Sequence, residues 1–263
     1  MVGDTFPKLA VLIDADNAQP LRISQLLAEV TKYGTAHVKR AYGDWTSPCL
    51  GGWKNELLKQ SIQPIQQFAY THGKNATDSA MIIDAMDLLY SGRLDAFCLV
   101  SSDSDFTRLA ARIRESGLIV YGFGETKTPK PFVAACDKFI YTENLVHIDA
   151  LVPHATAKVV SQSNGKAHQA RESDELENKL RTTVERASDD NGWAKLSVIG
   201  SLLIKQYPDF DSRTYGYHKL SDLITDLSSF EIDHRSRRTD LPKEIWVRDK
   251  RRERKSVAGE VKT

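Results

Sequence analysis

Short apolar runs alternate with segments of helical spacing through the first 150 residues, and this alternation constrains the fold more than any other feature of the 263-residue chain. Residues 8–13 and 96–100 are largely apolar runs, typical of strands buried on both faces of a sheet. Residues 20–32 and 77–90 carry apolar side chains at the spacing of a helix. The alternation predicts an α/β domain with a mostly parallel sheet and helices on both faces.

Shorter segments fit the same alternation. Further strands are predicted at residues 37–42, 62–68, 118–123 and 139–141. Further helices are predicted at residues 53–61 and 105–116, the second of which stops at Gly117. We therefore expect residues 1–150 to form one domain.

The pattern changes beyond residue 150. Residues 151–173 are polar and without period, which indicates a linker. Residues 174–249 then suggest three helices and a terminal hairpin, the pattern of a small winged-helix domain. Its helices are predicted from about residue 174, over 196–207 and over 215–227, and its strands at 230–234 and 244–248. Residues 250–263 begin with a cationic run and are expected to form a solvated basic tail.

The composition excludes several classes of protein. Apolar residues make up 41% of the chain and charged residues 27%, as in ordinary globular proteins, and no apolar run approaches the roughly 18 residues of a membrane span. The three cysteines lie far apart and the seven histidines show no metal-binding spacing, which disfavours a disulfide framework and a zinc site. The first residues lack the features of a secretory signal. We therefore expect a cytoplasmic protein without membrane contact.

Carboxylates follow two of the predicted strands. Asp14 comes directly after the first strand, and Asp103 and Asp105 follow the strand that ends at Val100. Ligands of an open parallel sheet bind beyond the carboxyl ends of its strands. We therefore expect these three side chains to meet at one edge of the sheet.

A fourth carboxylate comes from the helix predicted at residues 77–90. Asp78 shares the apolar face of this helix with Ala85 and Leu89, and it lies in the first turn. Asp84 and Asp87 fall on other faces and are expected to be solvated. Helix capping or a turn would explain each acid of the edge singly, and that interpretation stays open. Asp78, however, points toward the sheet.

Carboxylates that converge need a counter-charge. Two unit charges about 4 Å apart repel by roughly 4 kcal/mol at an effective dielectric constant of 20. Such a cluster binds a proton or a cation, and ligands that are all oxygen favour Mg²⁺ or Mn²⁺. These ions activate water and neutralise phosphate charge, which is the chemistry of phosphoester hydrolysis.

Three motifs resemble those of the NYN family, a group of PIN-like, LabA-like ribonuclease domains, over about residues 8–147. The resemblance implies a metal-dependent nuclease acting on RNA that leaves a 5′-phosphate. It also implies that Asp14, Asp78 and Asp103 bind the metal, with Asp105 close by as a further ligand or as a residue that orients the water. Asn17, Ser101 and Ser102 would be supporting residues, and Ser102 stands where the family often has glycine. The motifs are Val11-Leu12-Ile13-Asp14-Ala15-Asp16-Asn17, Lys74-Asn75-Ala76-Thr77-Asp78-Ser79 and Val100-Ser101-Ser102-Asp103-Ser104-Asp105-Phe106.

The second domain resembles the LOTUS domain, also called OST-HTH, through residues 215–224 and the stretch from Gly192 to Phe210. The resemblance implies a winged helix that binds RNA or, in some relatives, a protein. An ordinary basic surface, and core packing of the tyrosines, are the alternatives. The candidate RNA contacts are Lys219, Tyr217, Arg235, Arg237 and Arg238 in this domain, and Lys74, Arg40 and Arg108 around the acidic site.

The sequence thus favours a metal-dependent ribonuclease, and more specifically an endoribonuclease, with an RNA-binding LOTUS module. A non-catalytic RNA-binding adaptor is the first alternative. The second is a phosphatase of the haloacid-dehalogenase type, with Asp14 as nucleophile and Asp16 as acid, which leaves Asp78 without a role. The sequence leaves open the RNA substrate, the number of metal ions and the oligomeric state.

Overall fold

The computed structural model describes residues 6–68, 76–148, 166–236 and 243–251. The chain divides into two compact units, residues 1–152 and 153–263. Each unit has a sheet of its own, and each is described by itself.

The first unit is built on a six-stranded sheet in which every described strand pair is parallel. The strand order is β3-β2-β1-β4-β5-β6, so β1 and β4 lie at the centre. This confirms the α/β fold that the alternating pattern predicts. The strands are β1 (Lys8–Asp14), β2 (Thr35–Gly43), β3 (Gln63–Gln66), β4 (Ala96–Val100), β5 (Ile119–Gly124) and β6 (Lys138–Tyr141).

Helices cover both faces of this sheet because successive residues of β1 face opposite sides. Leu9, Val11 and Ile13 pack in one core with α1 and α2, and Ala10 and Leu12 pack in the other with α3, α4 and α5. The helices are α1 (Ile23–Val30), α2 (Trp53–Gln60), α3 (Ala76–Tyr90), α4 (Thr107–Glu115) and α5 (Lys130–Ala135).

Several boundaries differ from the predictions. The turns Pro20–Arg22 and Ser104–Phe106 are 3₁₀ helices, so α1 and α4 begin later than their apolar patterns suggest. The sequence analysis missed α5, because six residues are too few to show a helical period. The longer helix α3 matches its prediction within one residue.

The second unit pairs three helices with a three-stranded antiparallel sheet of order β7-β9-β8. Leu176, Leu180 and Val184 of the first helix are buried in its core, as their spacing predicts. The elements are α6 (Lys166–Ala187), β7 (Trp193–Lys195), α7 (Leu196–Gln206), α8 (Leu220–Asp226), β8 (Phe230–Arg235) and β9 (Glu244–Asp249).

Three elements of this unit depart from expectation. The first helix, α6, begins at Lys166 rather than near residue 174, so the prediction of a linker over residues 151–173 is wrong for residues 166–173. The helix predicted from residue 215 begins only at Leu220, because Gly216 has a positive φ of 83° and ends a 3₁₀ turn over Ser212–Tyr215. The strand β7 was not predicted, since three residues are too short to show alternation.

Cys49 is exposed and Cys98 and Cys136 are buried, all three as free thiols. Burial raises the pKa of the two buried thiols, that of Cys136 to about 12. None of the helices in the described ranges has both the length and the hydropathy needed to cross a bilayer.

Gly124 ends β5 beside the loop that follows β4. A Cβ at this position would lie 2.6 Å from the carbonyl oxygen of Ser101 and 2.7 Å from Oγ1 of Thr128. Both distances are far below van der Waals contact, so only glycine fits without displacing the backbone at Ser101.

We predict that Gly124→Ala destabilises the first unit by about 1–3 kcal/mol, the usual cost of overpacking. Urea unfolding followed by circular dichroism measures the change. Gly52→Ala is the matched control, because its Cβ would approach nothing closer than Cγ of Pro20 at 3.4 Å. Equal midpoints for the two variants would contradict the close packing at Gly124.

Candidate metal centre

The candidate site lies at the carboxyl edge of the first unit's sheet, between β1 and β4. The chain continues from β1 to β2 on one side and reaches β4 on the other, so the strand order reverses direction here. Open α/β sheets form their ligand crevice at such a reversal. Asp14 is the last residue of β1, and Ser101 directly follows β4.

Asp14 is fully buried, and its carboxylate is held by four hydrogen bonds. Oδ2 accepts from Nδ2 of Asn17 at 2.8 Å and from Oγ of Ser101 at 2.7 Å. Oδ1 accepts from the backbone N–H groups of Asp16 at 3.2 Å and Asn17 at 3.3 Å. Burial raises the pKa of Asp14, and the bonds from Ser101 and Asn17 oppose that rise because they stabilise the anion.

Ser101 connects the two central strands. Its hydroxyl donates to Asp14 and accepts from the backbone N–H of Asp103 at 3.0 Å. Asp103 in turn caps the 3₁₀ turn Ser104–Phe106, since its Oδ1 accepts from the N–H of Asp105 at 2.9 Å. One hydrogen-bond chain therefore fixes the loop after β4 to the end of β1.

Asp78, Asp103 and Asp105 form a cluster of acids. Each offers a carboxylate oxygen that lies within 4.8 Å of those of the other two. Asp78 reaches this edge from the first turn of α3, on the face that also buries Ala85 and Leu89. Three separate segments, the ends of β1 and β4 and the start of α3, thus bring carboxylates to one place.

The cluster is electrostatically unfavourable as it stands. Desolvation raises the pKa of Asp78 to about 6, and the charges of Asp14, Asp103, Asp105 and Asp16 add to the rise. Like charges at this separation favour whichever species neutralises them, a proton or a cation.

The donor set fits a hard divalent ion. Asp78, Asp103 and Asp105 offer oxygen ligands only, which is the ligand type that Mg²⁺ and Mn²⁺ prefer. Asp14 does not belong to the group of three acids whose carboxylate oxygens lie within 4.8 Å of one another. Its negative charge nevertheless raises the pKa of Asp78. The geometry therefore brings together four acids but divides them into three clustered ones and one buried, hydrogen-bonded one.

Ser102 lies in the same loop and forms a hydrogen bond within the chain. Its Oγ accepts from the backbone N–H of Glu125 at 2.9 Å, which ties the loop after β4 to the end of β5. The hydroxyl at a position where the family often has glycine is thus used within the chain.

Arg40 lies on β2 and contacts α3. Its guanidinium pairs with Asp84, which also accepts from the hydroxyl of Tyr42. The prediction that Asp84 is solvated is wrong: its side chain is only 23% exposed, because Arg40 and Tyr42 of β2 contact it. Burial and the adjacent Asp84 raise the pKa of Tyr42. The sequence pattern missed this contact because helical spacing alone does not show which neighbouring strand a polar side chain meets.

The remaining candidate RNA contacts are placed as follows. Arg108 is exposed on α4, and Lys219 is exposed directly before α8. Tyr217 packs partly against the core of the second unit, and its hydroxyl bonds to Asp226. Arg235 ends β8 and pairs with Asp233 at 2.8 Å. Lys74, Arg237 and Arg238 lie outside the described residues.

Comparisons with known proteins agree with this architecture. The family profile described as NYN domain matches residues 8–147, and the one described as OST-HTH/LOTUS domain matches residues 171–242. NYN domains are PIN-like nucleases, and LOTUS domains are RNA-binding modules. No curated protein matches the chain.

Two solved structures are similar in part. A protein of unknown function from Vibrio parahaemolyticus is 20% identical, with a TM-score of 0.45, and the match covers 53% of this chain and 94% of that one. An uncharacterized protein from Nitrosomonas europaea, solved by NMR, is 33% identical, with a TM-score of 0.28 over 38% of this chain and 87% of that one.

We predict that Asp78→Asn stabilises the metal-free first unit at pH 7.5. The folded pKa of about 6 lies above the unfolded value, so the charge of Asp78 costs stability as pH rises through that range. Because Asp78 is half-exposed and partly screened, we expect a rise in Tm of about 2–4 °C in EDTA, the shift for about 1 kcal/mol.

The pH dependence supplies the control for this measurement. Near pH 4 the carboxyl group is largely protonated in the folded state, so the gain from Asp78→Asn should shrink toward zero. Differential scanning calorimetry at both pH values measures it. A variant that is less stable than wild type at pH 7.5 would contradict the repulsion.

Proposed function

Because the chain belongs to the NYN family, we propose that it is a metal-dependent ribonuclease, and specifically an endoribonuclease, with a second unit that binds RNA. The observation that carries the proposal is the cluster of Asp78, Asp103 and Asp105, with carboxylate oxygens within 4.8 Å of one another at the reversal point of the sheet. The partial burial and raised pKa of Asp78, beside the other acids, support a site that binds a cation.

In this proposal, Asp78 and Asp103 would hold Mg²⁺ or Mn²⁺, and Asp105 would be a further ligand or would orient the attacking water. The bound ion would supply an activated water and neutralise charge on the phosphate group of RNA. The chain's own contribution is position: Asp103 is fixed by its capping bond to Asp105, and Asp78 by the packing of α3 on the sheet.

Asp14 acts from the buried side of the site. Asn17 and Ser101 keep its carboxylate in one orientation, and its negative charge increases the affinity of the neighbouring acids for a cation. It would be a further ligand of the ion. Its role is in metal binding rather than in attack on the substrate.

The phosphatase reading has less support. It requires Asp14 as an accessible nucleophile, yet Asp14 is fully buried and both its oxygens accept hydrogen bonds. It also gives no role to Asp78, which lies within the acidic cluster. Measuring RNA binding and RNA cleavage with the same protein distinguishes the non-catalytic adaptor from the nuclease.

The second unit supplies RNA affinity in this proposal, because LOTUS domains are RNA-binding modules and this unit matches that profile over residues 171–242. A protein ligand for the same unit is the second possibility. The cytoplasmic location rests on the sequence pattern and stays a prediction.

We predict that Asp103→Asn reduces cleavage of single-stranded RNA by at least about 100-fold in Mg²⁺ or Mn²⁺, because the amide weakens metal binding without changing the side-chain shape. A circular RNA is the substrate, since only an internal cut linearises it. Gel electrophoresis measures the rate, and phosphatase sensitivity tests the predicted 5′-phosphate.

Asp87→Asn is the matched control, since Asp87 is exposed on α3 and lies outside the cluster. We expect it to cut at the wild-type rate. Cleavage by Asp103→Asn at that same rate would reject the metal site. Absence of cleavage by the wild type in either ion, with RNA binding intact, would favour the adaptor.

A further inference from the structure

A polar contact joins α3 to β2 in an interface that is otherwise largely apolar. The two carboxylate oxygens of Asp84, near the middle of the helix, accept hydrogen bonds from the guanidinium of Arg40 and the hydroxyl of Tyr42. We call Arg40, Tyr42 and Asp84 the α3 anchor. The buried residues of α3 that pack in the core beside it are apolar: Met81, Ala85 and Leu89. At Asp84, directional bonds thus supplement an apolar contact.

Tyr42 connects the α3 anchor to the end of β1. It is fully buried, and in the parallel pairing of β1 with β2 it is in register with Asp14. Its carbonyl oxygen accepts from the backbone N–H of Ala15 at 2.9 Å. One residue therefore bonds through its backbone to the strand end that carries Asp14, and through its hydroxyl to the helix that carries Asp78.

The anchor point and Asp78 lie on the same rigid element. Asp78 precedes Asp84 by six residues on α3, a rise of about 9 Å. Apolar packing is non-directional and lets a helix slide or turn slightly, whereas a carboxylate held by two donors has a defined place. The bonds at Asp84 therefore fix where Asp78 lies relative to the sheet.

Asp78 needs such a hold because the neighbouring acids repel it. It offers a carboxylate oxygen within 4.8 Å of those of Asp103 and Asp105. Like charges at this separation repel one another, and more strongly where water is partly excluded. The repulsion favours any movement that takes Asp78 out of the cluster, and the bonds at Asp84 oppose such movement.

We propose that the α3 anchor positions Asp78 to bind a divalent ion together with Asp103. Its three members are positioning residues, since they act through Asp78 and not by contact with the ion or the RNA. This role uses the guanidinium of Arg40 within the chain and assigns it to the helix rather than to an RNA phosphate. The proposal rests on the proposed function, because it names what sets the geometry of the metal site.

The test measures Mn²⁺ binding to the full chain without RNA, so that no turnover is needed. The protein is freed of metal with EDTA and dialysed, and the electron paramagnetic resonance signal of free Mn²⁺ gives Kd. Tyr42→Phe removes only the hydroxyl of the anchor, and Asp84→Asn weakens both bonds while keeping the side-chain shape. We expect each variant to bind Mn²⁺ about 5- to 50-fold more weakly, somewhat less than the effect of losing a group that bonds a metal ligand directly.

Tyr33→Phe is the matched control. It removes a hydroxyl that donates to Oε1 of Glu29 at 3.2 Å, a bond to a carboxylate of α1 on the other face of the same sheet. The first unit loses a comparable hydrogen bond while α3 keeps its contacts, so Kd for Mn²⁺ should equal that of the wild type. Circular dichroism establishes that each variant is folded.

A double-variant cycle tests whether the α3 anchor acts through Asp78. Asp78→Asn removes the ligand that the anchor positions, so the addition of Tyr42→Phe should then weaken Mn²⁺ binding by less than about 2-fold. A general loosening of the unit would instead lower the affinity by the same factor in both backgrounds.

The outcomes separate the α3 anchor from the metal site. Wild-type Kd values in both Tyr42→Phe and Asp84→Asn overturn the anchor and leave the metal site intact. Equal losses in Tyr42→Phe and Tyr33→Phe, or losses that add to that of Asp78→Asn, also overturn it. A wild type that fails to bind Mn²⁺ overturns the metal site and the anchor with it. Weaker binding confined to the anchor variants, and absent once Asp78 is replaced, supports the anchor even if the wild type cuts no RNA.

Discussion

Repulsion between aspartates at one sheet edge is the constraint on which the first unit depends. Asp78, Asp103 and Asp105 offer carboxylate oxygens within 4.8 Å of one another, and the negative charge of the buried Asp14 adds to the repulsion on Asp78. Such a cluster is tolerated only if the surrounding structure holds it in place. The bonds through Ser101, the cap at Asp103 and the contact of α3 with the sheet provide that hold. The site is therefore assembled by the fold before any ligand binds.

Much of this arrangement could be predicted because it follows from strand order and helical spacing. Asp14 and Asp103 follow buried strands, and the carboxyl ends of parallel strands share an edge. Asp78 lies on the apolar face of α3, which determines its direction. The division into a clustered trio and a buried Asp14 could not be predicted, since it depends on distances of a few ångströms set by hydrogen bonds.

The missed features are contacts between elements rather than properties of single elements. Asp84 meets Arg40 and Tyr42 only because β2 lies beside α3. The contacts of Arg235 with the rings of Trp193 and Trp246 need the register of three strands, and β8 and β9 lie more than thirty residues after β7. In the second unit, Gly216 shortened a helix whose apolar spacing continued through it. The spacing of apolar residues therefore predicts the position of a helix or strand more reliably than the side chains that it contacts.

The two units divide the task in this account. The first holds acids that need a cation, and the second matches the profile of the LOTUS domain, an RNA-binding module. Soaking crystals of the protein in Mn²⁺ and measuring anomalous diffraction tests the central claim most directly. We predict a peak within coordination distance of Asp78, Asp103 and Asp105. Well-ordered acids with no anomalous peak beside them, or Mn²⁺ bound only elsewhere on the chain, would contradict the account.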